Sequence, residues 1–292
     1  MKKYNRRRFL KGSLKRHIVF SETLSNRRRI DIYLPPTYYR RLDKRYPVLY
    51  MHDGNNLFDP NISFAGVHWK VDSTIDYLVN KKLMNEVIVV GMHNNMQRDY
   101  EYTWTPMEFP STGIQGGGGA KYADFLVNEL KPFIDAHYRT LSDRENTAVM
   151  GSSLGGLISF YLGLYYSDVF SKIGVISPSF WWGYGEVFND VKDIPDNLKI
   201  WLDIGTDEDS FESDEEDDPD EIELEIETDI DEYDTEKVSF NTAVVRLMRD
   251  SLIMLGYKEG HNLAYFEDEG GMHNEETWGN RFHLPLLFFF GK

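Results

Sequence analysis

Short apolar runs along the chain alternate with longer stretches in which apolar positions recur every three to four residues. The short runs are rich in β-branched residues and end at Gly, Pro or polar residues, which is typical of strands. They predict strands at 29–33, 46–51, 87–92, 147–151, 172–177, 199–203 and 262–267. The longer patterns predict helices at about 71–80, 121–137, 157–166 and 238–255.

Strands that are separated by helices need crossover connections, and such connections join parallel strands. The order of elements therefore predicts an α/β fold with a mainly parallel central sheet of about eight strands and helices on both faces. The chain has 292 residues, 41% of them hydrophobic, and contains no internal repeat or Pro- or Ser-rich linker. We expect one domain that spans residues 1–292.

The charge of the chain is concentrated in one segment. Twenty acidic residues and no Lys or Arg lie between positions 203 and 236, whereas the whole chain has a net charge of −16. The part at about 210–236 is too charged to be buried, so we interpret it as an acidic insertion whose stretch 221–227 alternates well enough to form an edge strand or hairpin. The first 45 residues contain 15 Lys or Arg. They are scattered among predicted strands, which favours a solvated edge over binding to nucleic acid.

Several classes of protein are excluded by composition. The chain has no cysteine, so a disulfide, a thiolate zinc site, an iron–sulfur cluster and a cysteine nucleophile are ruled out. No apolar run approaches the roughly 20 residues that cross a bilayer, so we expect a soluble protein with no membrane partner. Residues 5–11 resemble a twin-arginine export signal, but no apolar region follows them, and a cytoplasmic location is expected.

The candidate chemistry begins at residues 148–157, where an apolar strand runs through Gly-Ser-Ser-Leu-Gly into a helical pattern. Gly-x-Ser-x-Gly between a strand and a helix is the context of a nucleophile elbow. Gly151 and Gly155 leave room for a tight turn that exposes the hydroxyl of Ser153 at the carboxyl edge of the sheet. A serine hydroxyl is a weak nucleophile, so this hypothesis requires a histidine base and a carboxylate that orients it.

The base and the acid should follow the serine in the order acid, then histidine. His273 is the best candidate base, because it lies in a Gly-rich loop between the last strand and the last helix. His261 precedes a strand and should therefore lie at the far edge of the sheet, and His283 lies in a helical run, so both are expected at the surface or in packing. The carboxylate should follow the strand at 199–203. Spacing alone does not choose among its three acidic candidates, Asp207, Glu208 and Asp209.

An acyl-transfer site also needs two backbone N–H groups that form an oxyanion hole. One is expected from Leu154, directly after the nucleophile, and the second from Asn55, in the loop after the strand at 46–51. Aromatic residues suggest a wall suited to sugar rings or phenolic groups, although aromatic residues after a strand more often belong to core or loop packing. They are Trp181, Trp182 and Tyr102, with Trp104 and Tyr184 nearby in sequence.

These motifs together resemble the putative esterase family of α/β-hydrolases, which includes enterochelin-type siderophore esterases, feruloyl and acetylxylan esterases, esterase D and mycolyltransferases. The resemblance runs from about residue 29 to the C-terminus. The matching pieces are residues 48–59, 98–103, 130–135 with 138–140, the elbow, 177–182, and 273–275 with Trp278 and Arg281.

The resemblance implies a triad of serine, acid and histidine, with the acid at the fourth position of a Gly-Thr-x-Asp/Glu turn. Residues 205–208 match that turn, which selects Glu208; the acidic insertion directly after it departs from the family pattern. The implied activity is hydrolysis of a carbohydrate, phenolic or siderophore-type ester, with no cofactor and no metal. The alternatives are acyl transfer on the same triad, or a non-catalytic binding protein that uses the acidic insertion. The oligomeric state is left open.

Overall fold

The computed structural model describes residues 9–208 and 239–292. The acidic insertion predicted at about 210–236 lies outside these residues, as do Asp209 and the arginines of the stretch that resembles an export signal. The strands are β1 (Ser13–Ser21), β2 (Asn26–Leu34), β3 (Val48–Met51), β4 (Ile88–Met92), β5 (Pro106–Phe109), β6 (Gly113–Gly116), β7 (Thr147–Ser153), β8 (Lys172–Pro178), β9 (Lys199–Gly205) and β10 (Leu263–Asp268).

Eight of these strands form one sheet in the order β1-β2-β4-β3-β7-β8-β9-β10. The six strands from β4 to β10 in this order run parallel, whereas β2 is antiparallel to both β1 and β4. Strands β5 and β6 form a separate antiparallel hairpin. The predicted fold class, α/β with a mainly parallel sheet of about eight strands, is confirmed.

Helices connect the parallel strands. They are α1 (Val71–Asn80), α2 (Arg98–Tyr102), α3 (Gly119–Asp124), α4 (Lys131–His137), α5 (Leu154–Tyr165), α6 (Trp182–Gly185), α7 (Val187–Asp190), α8 (Phe240–Met254), α9 (Glu275–Arg281) and α10 (His283–Phe290). A π-helical segment, Phe125–Leu130, joins α3 to α4, so the helix predicted at 121–137 is one nearly continuous rod.

The alternation of side chains along each strand divides the core into two layers. On one face, Val48 and Tyr50 of β3 pack with residues of α3, α4, α5 and α8. On the other face, Leu49 and Met51 pack against α1, α9 and α10. Because successive side chains of a strand point to opposite faces, strands covered on both sides are apolar throughout. This accounts for the uninterrupted apolar runs of the sequence.

Two parts of the β-structure escaped the sequence-based prediction. Strand β1 forms an edge of the sheet and exposes Leu14, Ile18 and Phe20, while charged residues lie among them. An edge strand that is solvated along much of its length lacks a clean alternation of apolar and polar residues. The β5–β6 hairpin was missed for the same reason, since much of it is exposed.

No helix among the described residues combines the length and the apolar character that spanning a bilayer requires.

Candidate active site

The predicted nucleophile elbow lies where β7 ends and α5 begins. Ser153 has φ 58° and ψ −128°, a backbone conformation that costs a residue with a side chain about 1–3 kcal/mol. Gly151 is required here, because a Cβ at that position would lie 2.7 Å from the backbone of Gly155. The constraint at Gly155 is milder, since its Cβ would lie 3.3 Å from His52.

Ser153, at the end of the elbow, lines a cavity. The Oγ atom of Ser153 lies 3.2 Å from that of Ser179, within hydrogen-bonding distance. Leu154 is the first residue of α5, so its N–H belongs to a helical turn whose amides have no partner inside the helix. The N-terminal end of a helix favours negative charge, which is the electrostatic requirement of an oxyanion hole.

Glu208 and His273 are brought together by loops at the same edge of the sheet. The Nδ1 atom of His273 lies 2.7 Å from Oε2 of Glu208. Backbone hydrogen bonds join the turn after β9 to the loop after β10: Thr206 N–H donates to Asp268 at 3.0 Å, and Asp207 N–H to Gly271 at 3.0 Å. His261 and His283, the histidines not chosen as the base, are both exposed.

The carboxylate of Glu208 is almost completely buried and well supplied with donors. Its Oε1 accepts hydrogen bonds from the N–H of Gly205 at 2.8 Å and from the hydroxyl of Ser177. Burial alone would raise the pKa of Glu208, but the hydrogen bonds and the charge interaction with His273 outweigh it and lower the pKa below its ordinary value. The group is therefore held as an anion against the imidazole ring.

A buried cation supports this carboxylate from behind. Arg281 of α9 donates to Asp203 from Nε at 3.1 Å and from Nη2 at 3.0 Å, and to Ser177 Oγ at 2.6 Å. Its Nη2 also lies 3.6 Å from Glu208. Burial raises the pKa of Asp203, and the charge of Arg281 opposes that effect. Ser177 thus connects the Asp203–Arg281 pair to the acid of the candidate triad.

The loop after β3 forms a short 3-10 turn, Gly54–Asn56, beside the elbow. Asn55, the predicted second oxyanion donor, lies in this turn and lines the same cavity as Ser153 and His273. Gly54 packs against β4 so closely that a Cβ would lie 2.6 Å from the backbone of Gly91. The turn therefore lies at the carboxyl edge of the sheet, near the end of β4.

The cavity has a volume of about 490 Å³, and most of the residues that line it are polar. Its walls contain the side chains or backbone of Asp53, Asn55, Asn56, Ile62, Ser63, Phe64, Asn94, Arg98, Ser152, Ser153, His273, Glu275 and Trp278. Phe64 is 69% exposed and forms an aromatic surface at the mouth. Trp278 is buried, packs edge-on against His273 with ring centroids 4.9 Å apart, and donates its N–H to Ser177.

The predicted aromatic wall lies elsewhere. Tyr102 has no exposed surface and accepts a hydrogen bond from Asp53 N–H at 3.1 Å, so it is corrected from a substrate contact to a core residue. Trp182 is 6% exposed and donates its indole N–H to Thr105 at 2.9 Å. Among the described residues that line the cavity, the aromatic ones are Phe64 and Trp278, and Trp181 and Trp182 are not included.

Several cavity residues were not assigned a role from the sequence. Arg98 forms a two-pronged ion pair with Asp53, and Glu275 accepts a hydrogen bond from Asn56 at 2.9 Å. Burial raises the pKa of Glu275, and the charge of Asp53 adds to the effect. All of these residues lie in the stretches that resemble the family, and this position was the sequence feature that could have indicated a role for them.

Within residues 9–208 and 239–292, no group of three or more His, Asp or Glu side chains is arranged to hold a metal ion.

Comparison with known proteins gives a consistent result. The sequence profile of the family described as “Putative esterase” matches residues 21–288. The uncharacterized protein YbbA of Bacillus subtilis is 28% identical over 202 residues, which are 68% of this chain and 74% of that protein. An endo-1,4-β-xylanase/feruloyl esterase of Xylanibacter ruminicola is 26% identical over 172 residues, which are 57% of this chain and only 22% of that protein.

A solved structure shares the fold. The enterobactin esterase FES from Shigella flexneri, crystallised in the presence of enterobactin, superposes with a TM-score of 0.69 at 17% identity. The match covers 95% of this chain and 58% of the FES chain. The sheet and helices described above are therefore those of an α/β-hydrolase-like fold.

Proposed function

The chain belongs to the putative esterase family and is a carboxylic ester hydrolase, and we propose that Ser153, His273 and Glu208 catalyse the reaction through an acyl-enzyme. The observation that carries this proposal is the 2.7 Å hydrogen bond between His273 and Glu208, beside a cavity that His273 shares with Ser153. A buried carboxylate that orients an imidazole next to an elbow serine is the arrangement that serine activation requires.

In the first half of the reaction, His273 takes the proton of the Ser153 hydroxyl as the oxygen attacks the ester carbonyl. The negative charge that develops on the carbonyl oxygen is held by the N–H groups of Leu154 and Asn55. The imidazolium is stabilised by Glu208, whose lowered pKa keeps it ionised. His273 then gives the proton to the leaving alcohol, and the acyl group remains on Ser153.

In the second half, water replaces the alcohol. His273 removes a proton from the water, the hydroxide attacks the acyl carbonyl, and the same two N–H groups hold the oxyanion. Ser153 recovers its proton from His273 as the acid leaves. Both halves use one base and one oxyanion hole, so no further ionisable group is needed.

For the substrate, we propose an ester of a molecule that carries hydroxyl groups and a ring, in the carbohydrate, phenolic or siderophore-type classes. The polar walls of the cavity can bond to hydroxyl groups, and Phe64 offers a flat apolar surface for a ring. The matched relatives described as a feruloyl esterase and an enterobactin esterase act on esters of these kinds.

A fluorophosphonate probe and a short p-nitrophenyl ester test the mechanism. We expect the wild-type protein to be labelled and to hydrolyse the ester, whereas Ser153→Ala loses both properties and keeps its thermal unfolding temperature. Ser73→Ala, which alters an exposed serine of α1, is the matched control and should retain both. Undiminished turnover by Ser153→Ala would refute the assignment.

A panel of esters tests the substrate class. Acetyl, feruloyl and siderophore-lactone esters are compared by kcat/KM, and the products are analysed with and without an acceptor alcohol. We expect a feruloyl or siderophore-type ester to exceed a plain acetyl ester and the free acid to be the main product. Preference for a long aliphatic ester would contradict the proposed substrate class. If the acyl group goes mainly to the acceptor alcohol, the activity is acyl transfer and not hydrolysis.

A further inference from the structure

The turn that presents Asn55 is held by an ion pair outside the candidate triad. We propose that Arg98 is a positioning residue for the oxyanion turn, defined here as residues 53–56, and that it acts through the carboxylate of Asp53. This inference rests on the proposed function, because the position of the turn affects the rate only if Asn55 N–H stabilises an oxyanion.

The contacts between the two side chains define their geometry closely. Nε of Arg98 donates to Oδ1 of Asp53 at 2.9 Å, and Nη2 donates to Oδ2 at 3.0 Å. Asn94 donates to the same Oδ1 at 2.6 Å. The guanidinium group lies 5.2 Å from the centre of the Tyr102 ring. A two-pronged pair fixes orientation as well as distance, so Arg98, the first residue of α2, and Asn94, in the loop before it, hold the carboxylate of Asp53 in place.

The backbone conformation of Asp53 shows why its side chain needs to be held in place. Asp53 has φ 51° and ψ 48°, the left-handed conformation that residues with a side chain adopt rarely. Its N–H donates to the hydroxyl of Tyr102, and its carbonyl accepts from Asn56 N–H at 2.8 Å, which closes the turn. The conformation of Asp53 therefore sets the direction of the Asn55 N–H. Arg98 holds the Asp53 side chain and so stabilises that conformation.

Charge gives Arg98 a second effect. Burial alone would raise the pKa of Asp53, but the charge and hydrogen bonds of Arg98 lower it, so the group is an anion. This anion packs against the first turn of α5, where a Cβ on Gly155 would lie 3.4 Å from its Oδ2. A negative charge beside the elbow opposes the formation of an oxyanion, and the guanidinium group of Arg98 offsets it.

The variants that test the proposal are Arg98→Gln, Arg98→Lys, Asp53→Asn and the double variant Asp53→Asn/Arg98→Gln. We expect Arg98→Gln to lower kcat about 10²-fold, comparable to the loss of one oxyanion donor, and to change KM by less than about 3-fold. Arg98→Lys keeps the charge and loses the two-pronged geometry, so its kcat should fall about 10-fold. The double variant should be more active than Arg98→Gln, because the uncompensated carboxylate is gone.

A surface pair provides the matched control. Arg41 and Asp43 make the same two-pronged contact, at 3.3 Å and 3.3 Å, but both side chains are exposed. Arg41→Gln should leave kcat and KM unchanged. A rise in KM with unchanged kcat for Arg98→Gln would overturn the proposal and make Arg98 a direct substrate contact. The proposal would also be overturned if the losses of kcat in the two single variants simply add in the double variant.

Two measurements separate this inference from the proposed function. If Ser153→Ala keeps its turnover, the proposed function fails, whatever the Arg98 variants do. If Ser153→Ala is inactive and Arg98→Gln has the kcat of the wild type, only the role of Arg98 is refuted. Thermal unfolding is recorded for every variant. Should Arg98→Gln not fold, Arg98→Lys decides, and an unchanged kcat in that folded variant would overturn the proposal.

Discussion

Glu208 and His273 are separated by 65 positions in the chain, and Oε2 of the first lies 2.7 Å from Nδ1 of the second. The contact forms because the turn after β9 and the loop after β10 are joined by backbone hydrogen bonds. In the proposed mechanism, this carboxylate fixes the orientation and tautomer of the imidazole ring, and Nε2 is the atom that acts as the base.

Replacement of this carboxylate tests its role in the reaction. Glu208→Gln keeps the shape of the side chain but removes its charge, and we expect kcat to fall about 10³–10⁴-fold because the wrong tautomer of His273 is stabilised. The measurement is steady-state hydrolysis of a p-nitrophenyl ester. Asp207→Asn is the matched control, since Asp207 is the neighbouring acid that spacing did not exclude. The assignment fails if the Asp207 variant loses the activity and the Glu208 variant keeps it.

The buried pair of Arg281 and Asp203 predicts a stability that depends on pH. Arg281→Met leaves a buried carboxylate without its cation, so the free energy of unfolding should fall by about 3–5 kcal/mol at neutral pH. Burial already raises the pKa of Asp203, and loss of the cation raises it further. In the folded variant, Asp203 therefore binds a proton more tightly than it does in the unfolded chain. The loss in the free energy of unfolding relative to the wild type should shrink as pH falls through the raised pKa.

Urea unfolding between neutral and mildly acidic pH measures this effect. Arg246→Met provides the comparison, because the Arg246–Glu267 pair has two contacts of 2.8 Å but is partly exposed. A partly exposed pair contributes about 0–1 kcal/mol. If the free energy of unfolding lost in Arg281→Met stays constant across this pH range, the pH dependence assigned to Asp203 is contradicted.

The aromatic surface at the cavity mouth predicts a change in substrate affinity. Phe64→Ala removes a ring that is 69% exposed, so it should leave stability almost unchanged. For an ester with an aromatic or sugar ring, we expect KM to rise about 5- to 10-fold, which corresponds to the loss of a stacking contact of roughly 1 kcal/mol. An acetyl ester should be affected much less.

Kinetics with both esters check this prediction. Phe20→Ala is the control, because Phe20 is 54% exposed on β1, at the edge of the sheet and four strands away from β7. Equal increases in KM for the ring-bearing and the acetyl ester would argue against a stacking role for Phe64.

Asn56 joins three segments around the cavity. Its Nδ2 donates to Glu275 at 2.9 Å, and its Oδ1 accepts from Phe64 N–H at 3.0 Å and from Asn55 at 2.8 Å. Asn56→Ala leaves these groups without their buried partner, so we expect a loss of about 1–3 kcal/mol in the free energy of unfolding and a lower kcat. Asn61→Ala, at an exposed asparagine bonded to Asp59, should be neutral in both measurements.

Local patterns in the sequence determined much of this protein. Alternation identified β2, and short β-branched or apolar runs identified β3, β4 and β7 to β10. The central strands among them are apolar because both of their faces are covered. The elbow was recognisable for a similar reason, since a tight strand-to-helix turn requires glycine at fixed offsets from the serine. The resemblance to a family then selected Glu208 from three adjacent acids, a choice that spacing left open.

The tertiary structure decided which distant side chains meet. Arg98 pairs with Asp53 across 45 positions, and Tyr102 is buried with its hydroxyl bonded to Asp53 N–H. The exposed Phe64, and not Trp182, forms the aromatic surface at the cavity. Local composition describes how apolar or charged a residue is, but its contacts depend on the order of strands in the sheet and on the loops at one edge. Those are set by packing between elements far apart in the chain, which no local pattern records.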